Sequence, residues 1–101
     1  MIAVIIPYFQ CESGILAKAL NSVFLSEVAS DVHIILVDDQ SPVSAKDELA
    51  TLGSTRFPVT VIEQVNAGPG GARNTGLENL PAGTDYVAFL DSDDVWSPRH
   101  L

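Results

Sequence analysis

Tyr86-Val87-Ala88-Phe89-Leu90-Asp91-Ser92-Asp93-Asp94 sets a run of apolar or small residues directly against three carboxylates within four positions. Such a run, too short for a helix and ending in acids, predicts a buried strand that delivers carboxylates to the edge of a sheet. Ionised carboxylates this close repel one another, and the usual remedies are a bound cation, a shared proton or full hydration. Asp91 and Asp93, two apart at a strand end, can turn hard oxygens toward one Mg²⁺ or Mn²⁺ that keeps positions open for the oxygens of a diphosphate. The same residues also fit an acidic turn followed by a helix starting at Ser97-Pro98. The rest of the chain bears on that choice.

Working back from this stretch, the apolar-strand pattern recurs. Ile2-Ala3-Val4-Ile5-Ile6 is apolar on both faces, as a central parallel strand covered by helices on each side must be. Pro7 is expected to end it, with Tyr8-Phe9-Gln10 as a loop whose aromatics either stack on a base or roof the core. Ile15, Leu16, Ala19, Leu20, Val23 and Phe24 recur with helical period behind a candidate cap at Ser13. His33-Ile34-Ile35-Leu36-Val37 is a second strand, and it too ends in acids, Asp38-Asp39, before the turn residues Ser41-Pro42. Ser44 and Asp47 have capping-box spacing for a helix from Ala45 to Leu52, closed by Gly53-Ser54. Val59-Thr60-Val61-Ile62 is a third strand, and Asn66-Ala67-Gly68-Pro69-Gly70-Gly71 breaks the chain before a helix carrying Arg73. Glycines at a helix amino end free N–H groups for a phosphate, and Arg73 either adds a bidentate donor to a diphosphate or braces the acidic loops.

Strand and helix alternate throughout, which predicts an α/β fold: a doubly wound, mostly parallel sheet with helices on both faces. Every unusual segment then falls on one rim. Aromatics after the first strand, acids after the second, glycines after the third and acids after the fourth all sit at carboxyl ends, where open α/β sheets bind ligands. The pattern points to a nucleotide-type site with a divalent cation.

Composition narrows the partners. The 101 residues make one domain at most, and with 47% hydrophobic and 18% charged residues the chain can bury a core. A formal net charge of −8 with only 5 Lys+Arg argues against a nucleic-acid backbone as partner, so an anionic ligand requires a metal or backbone amides. Cys11 is the single cysteine, which rules out an internal disulfide, reads as an inert thiol and fits a reducing cytoplasmic setting. The opening apolar run is too short for a signal peptide or membrane span, and no stretch of the sequence is long enough to cross a bilayer.

These residues resemble the glycosyltransferase family 2 enzymes, which have the Rossmann-like GT-A fold. Ile5-Ile6-Pro7 with Phe9-Gln10 is similar to that family's opening segment, and Val37-Asp38-Asp39-Gln40-Ser41 to its uridine-contacting motif. Residues 66–76 are similar to its Asn-x-Gly-x-x-x-Ala-Arg-Asn-x-Gly segment, and Asp91-Ser92-Asp93 to its DxD. Gln10 stands where Asn is common, and Gln40 where Gly is common. The resemblance implies a single nucleotide-sugar-binding domain over residues 1–101, the N-terminal part of a longer enzyme, cut after its fourth strand and lacking the catalytic base. It implies a UDP-sugar donor, a saccharide or lipid-linked acceptor, and a role in polysaccharide, exopolysaccharide or lipopolysaccharide synthesis. The nucleotide site it implies comprises Pro7, Tyr8, Phe9, Asp38, Asp39, Asn66, Gly68, Arg73, Asp91 and Ser92, with Asp39 on the uracil and Asp91 and Asp93 holding Mn²⁺ or Mg²⁺. A strand inside the full sheet would be left at an edge here, so a homodimer through exposed surface is a further expectation.

Two other classes compete. A catalytically silent nucleotide-binding module would carry the same motifs. A Mg²⁺-binding receiver domain would share the strand-and-acid-pair pattern of residues 34–39, but its acids should follow the first strand, and here a complete strand-helix unit precedes them. A dinucleotide-binding dehydrogenase would need glycines after the first strand, where Pro7-Tyr8-Phe9 stands.

Overall fold

The computed structural model describes residues 1–27, 31–97 and 99. Four strands and three helices alternate: β1 (Ile2–Tyr8), α1 (Ile15–Phe24), β2 (Val32–Asp38), α2 (Ala45–Leu52), β3 (Val59–Glu63), α3 (Gly68–Glu78) and β4 (Tyr86–Phe89). The sheet order is β3-β2-β1-β4, and all three pairings are parallel. Strand order thus reverses between β1 and β4, and the loops leaving their carboxyl ends diverge there to open a crevice.

The alternation of the strands divides the core. Val4, Ile6, Ile34 and Leu36 face α1 and Ala45 of α2, whereas Ala3, Ile5, Ile35 and Val37 face Ala72 of α3. Helices therefore cover both faces, as two-sided apolar strands require. Gly76 allows α3 to lie close on the sheet, since a Cβ there would sit 2.6 Å from Cγ2 of Ile5.

Several local expectations are corrected. β1 does not stop at Pro7 but runs through it to Tyr8. Ile5 turns its carbonyl to β4, accepting from the Leu90 N–H at 3.1 Å, so Pro7, two residues on, faces the same side past the last β1–β4 pair, Ile5 with Phe89. Its missing N–H deprives no strand of a partner. The α1 cap is not Ser13: Gly14 occupies the position at φ 88°, and its N–H donates to Glu48 Oε1 of α2 at 2.6 Å. Ser44 holds the α2 cap position, but its side chain makes no capping bond, and the first helical amide, that of Ala45, donates to Asp38 instead. The glycine segment is not a loop ahead of a helix; α3 begins within it, at Gly68. The helix start expected at Ser97-Pro98 falls partly outside the described residues, which omit position 98.

Candidate functional site

Asp38 and Asp39 end β2 as neighbours, and strand alternation sends them to different tasks. Asp38 is buried, with Oδ1 accepting from the Ser41 N–H at 2.8 Å and Oδ2 from the Ala45 N–H at 2.9 Å. It is the cap of α2, and it does not line the cavity described below. Its placement in the nucleotide site is therefore corrected, and the two acids do not form the side-by-side pair that a receiver domain requires.

Asp39 turns to the other side. The residue is 4% exposed, and its carboxylate accepts from Gln64 Nε2 at 2.9 Å, the Ala67 N–H at 2.8 Å and the Gly68 N–H at 3.0 Å. Desolvation pushes its carboxyl pKa up, but the donors from Gln64, Ala67 and Gly68 outweigh it and hold the group below the usual carboxylate range. This clamp alters the expectation that the α3 amino end offers a row of free amides. Ala67 and Gly68 are spent on Asp39, and Pro69 has no N–H.

Asn66 stitches the ends of β2 and β3 together. Its Nδ2 donates to the Asp39 carbonyl at 3.1 Å, and its N–H donates to Gln40 Oε1 at 3.2 Å. Gln40 adopts φ 57°, a left-handed conformation that costs a side-chain-bearing residue roughly 1–2 kcal/mol, and the bond to Asn66 offsets part of that cost.

A second tie crosses from β1 to the acids after β4. The Ser41 hydroxyl engages both ends of Gln10's main chain, accepting from its N–H at 2.8 Å and donating to its carbonyl at 2.9 Å. The Gln10 side chain then donates to Ser92 Oγ at 3.0 Å, which leaves Ser92 buried between Asp91 and Asp93, both exposed. Arg73 of α3 reaches the same loop, with Nη2 3.1 Å from Asp91 Oδ1.

These segments enclose an open cavity of about 460 Å³, of a size that admits a nucleotide. Pro7, Tyr8, Phe9, Asp39, Asn66, Gly68, Arg73, Asp91, Ser92 and Asp93 all line it, together with Gln10, Pro69 and Ala72. Of the two aromatics, Tyr8 is 1% exposed and packs with Val4 and Ile6 against α1, so its ring roofs the core. Phe9 is 48% exposed and is the ring free to stack on a ligand. Three carboxylates and one guanidinium line the space, a charge balance that repels a diphosphate unless a cation intervenes. Among the described residues no three His, Cys, Asp or Glu side chains come together as a metal-binding group. A cation there would have Asp91 and Asp93 as its protein ligands and would need oxygens from elsewhere. Sequence reading missed Gln64, whose amide orients Asp39, and Thr75 behind it; an isolated Gln after a strand carries no motif by which to find it.

The sequence matches the family described as Glycosyl transferase family 2 over residues 3–101. It is 57% identical over 101 residues to the succinoglycan biosynthesis protein ExoW of Rhizobium meliloti (strain 1021), covering 99% of this chain and 31% of that protein. It is 31% identical over 96 residues to the UDP-Glc:alpha-D-GlcNAc-diphosphoundecaprenol beta-1,3-glucosyltransferase WfaP of Escherichia coli, covering 95% of this chain and 36% of that one. The crystal structure of S. aureus TarS 1-349 in complex with UDP superimposes with a TM-score of 0.81 at 26% identity, covering 97% of this chain and 29% of that one. The chain thus spans about a third of the length of these curated relatives. With its parallel sheet, its rim of acids and a family match from residue 3 to residue 101, the chain belongs to glycosyl transferase family 2.

Proposed function

We propose that residues 1–101 form a single nucleotide-sugar-binding domain, the donor-binding part of a glycosyltransferase that moves a sugar from a UDP-sugar to a hydroxyl of a saccharide or lipid-linked acceptor. The observation that carries this reading is the convergence of Asp39, Arg73, Asp91 and Asp93 on one cavity from three separate segments, the end of β2, α3 and the loop after β4. In it, Asp39 accepts an N–H from the uracil, Phe9 stacks on the base, and Asp91 meets the ribose or the metal shell. Arg73 lies within the same cavity beside the diphosphate position.

The donor set fits a hard divalent cation, Mn²⁺ or Mg²⁺: Asp93 is exposed on the cavity and Asp91 beside it is engaged only by Arg73 among the described residues. When bound, the cation would supply charge neutralisation for the departing diphosphate. The chain's own residues hold the base and pin the acidic loop, and no catalytic base is assigned within residues 1–101. The roles of ExoW in succinoglycan biosynthesis and of WfaP as a glucosyltransferase support a place in polysaccharide synthesis, and the reaction would run in the cytoplasm, where nucleotide sugars are made. No helix among the described residues is long and apolar enough to cross a membrane.

Titration calorimetry of UDP, with Mn²⁺ and with EDTA, tests the reading on wild type and Asp93→Ala. UDP should bind weakly, more tightly with Mn²⁺, and Asp93→Ala should erase that difference. Equal affinity in Mn²⁺ and EDTA sinks the metal role; no UDP binding at millimolar concentration sinks the donor site. The outer edge of β4, unpaired among the described residues, with Tyr86, Phe89 and Val95 exposed near it, also supports self-association at high concentration, and a strict monomer by light scattering would refute it.

A further inference from the structure

Behind Asp39 lies a relay that neither the motifs nor the proposed donor chemistry uses. Thr75 Oγ1 on α3 is 2.5 Å from Gln64 Oε1, and Gln64 Nε2 in turn donates to Asp39 Oδ1 at 2.9 Å. The Asp39 end fixes which way round the amide lies. A carboxylate can only accept, so it requires the NH₂ group of Gln64 and turns the amide oxygen to Thr75, whose single hydroxyl proton has that oxygen as its nearer acceptor and the Gly71 carbonyl at 3.0 Å as the other. The Gln64 main chain is itself anchored, its N–H donating to the Asp38 carbonyl at 3.0 Å. As a result Oδ1 of Asp39 carries two donors, Gln64 and Ala67, whereas Oδ2 carries one, Gly68. Oδ2 is the oxygen with more acceptor capacity left.

Resting on the donor-site reading above, we infer that Gln64 and Thr75 are positioning residues that hold Asp39 as an obligate acceptor and so select the nucleobase: those presenting a ring N–H, such as uracil, are taken, and those presenting a ring nitrogen acceptor at that edge, such as cytosine, are refused. The chemistry is direct. An ionised Asp39 meets N3–H of uracil as acceptor to donor, but meets N3 of cytosine as acceptor to acceptor. A protonated Asp39 would reverse both contacts. The relay opposes protonation, in line with the depressed pKa of this carboxyl. The other charged groups on the surrounding elements are held elsewhere or lie across the cavity. Asp38 caps α2, Glu63 on β3 pairs with Lys46 at 2.9 Å, Arg73 on α3 pairs with Asp91, and Asp93 stands beyond Ser92.

The test is the ratio of UDP to CDP affinity, measured with Mn²⁺ on the full chain across pH. Taking a ratio cancels the titration of the diphosphate and of the acidic loop, which both ligands share. Wild type should favour UDP by about tenfold or more, the scale of one hydrogen bond to a charged group, with little change between about pH 8 and about pH 6.5, a window that stops short of protonating the cytosine ring nitrogen itself. Gln64→Leu should make the ratio pH-dependent, falling several-fold toward the acid end as Asp39 takes up a proton. Thr75→Val, which keeps the shape and removes the hydroxyl, should shift the ratio in the same direction by less. A relay that merely braced the fold would weaken both ligands together and leave the ratio flat. Flat ratios in both variants overturn the inference, as does a wild type that binds CDP and UDP equally. Should Gln64→Leu fail to fold, Thr75→Val decides alone. A wild type that binds neither nucleotide overturns the donor-site reading instead, so the two failures are distinguishable.

Discussion

Replacing Asp38 by Ala should unfold the protein more readily without emptying the nucleotide site. The Asp38 carboxylate satisfies the N–H groups of Ser41 and Ala45, and only the former bond is partly exposed. A buried donor stripped of its acceptor costs about 1–3 kcal/mol, and loss of a side-chain helix cap costs about 0.5–2 kcal/mol. With Ala45 left dry and Ser41 partly rehydrated, the sum is about 3 kcal/mol. The 8-residue α2 is too short to hold itself together, so this loss is not recovered locally. For a domain of this size about 3 kcal/mol is a large share of total stability and lowers Tm by roughly 12–24 °C. Asp38→Asn keeps one acceptor oxygen but turns an NH₂ toward the second N–H, and should fall between the two. Urea denaturation gives the stabilities, and calorimetry under fully folding conditions gives UDP affinity, expected within a few-fold of wild type. If Asp38→Ala leaves the urea midpoint in place and abolishes UDP binding, Asp38 belongs to the ligand and its role as a cap is wrong.

Gly76→Ala should destabilise by up to about 2 kcal/mol: the new methyl meets the unyielding Ile5 Cγ2 at 2.6 Å, an overpacking cost of about 1–3 kcal/mol, of which helix propensity returns about 1. A more stable variant in urea would show that α3 can lift freely from β1. Arg73→Lys should shift stability by less than about 0.5 kcal/mol, because the ion pair with Asp91 is exposed on both sides, and should instead weaken UDP binding in Mn²⁺. A lowered unfolding midpoint with unchanged UDP affinity would reverse that assignment. Asp39 gives a signed pH effect. Its folded pKa lies below the unfolded value, so its stabilisation is present above about pH 4 and is lost as pH falls through the folded pKa. The stability gap between wild type and Asp39→Asn, followed by circular dichroism in urea, should therefore narrow below about pH 4; a gap that widens in acid contradicts the sign.

The apolar runs at Ile2–Tyr8 and Val32–Asp38 and the helical spacing of Leu16, Ala19, Leu20 and Val23 were enough by themselves to determine an α/β order with two-sided strands, because periodicity and β-branching are local properties that survive without neighbours. The coincidence of the odd loops on one rim followed from that order, and Asp39, Arg73, Asp91 and Asp93 do share a cavity. What only the tertiary structure decided is which hydrogen bonds each polar residue makes. Asp38 and Asp39 are identical letters side by side, and their division into a cap for α2 and a clamp for α3 comes from packing that brings Ala45 to one and Gly68 to the other. Ser13 and Ser44 had capping signatures, yet neither caps: the Gly14 N–H donates to Glu48 on a neighbouring helix and the Ala45 N–H to Asp38 at a strand end. Pro7 reads as a strand breaker until the register shows that β4 has ended opposite it. Gln64 became visible only when α3 placed Thr75 behind it, because a hydrogen-bond relay between distant segments leaves no period, run or spacing in the sequence.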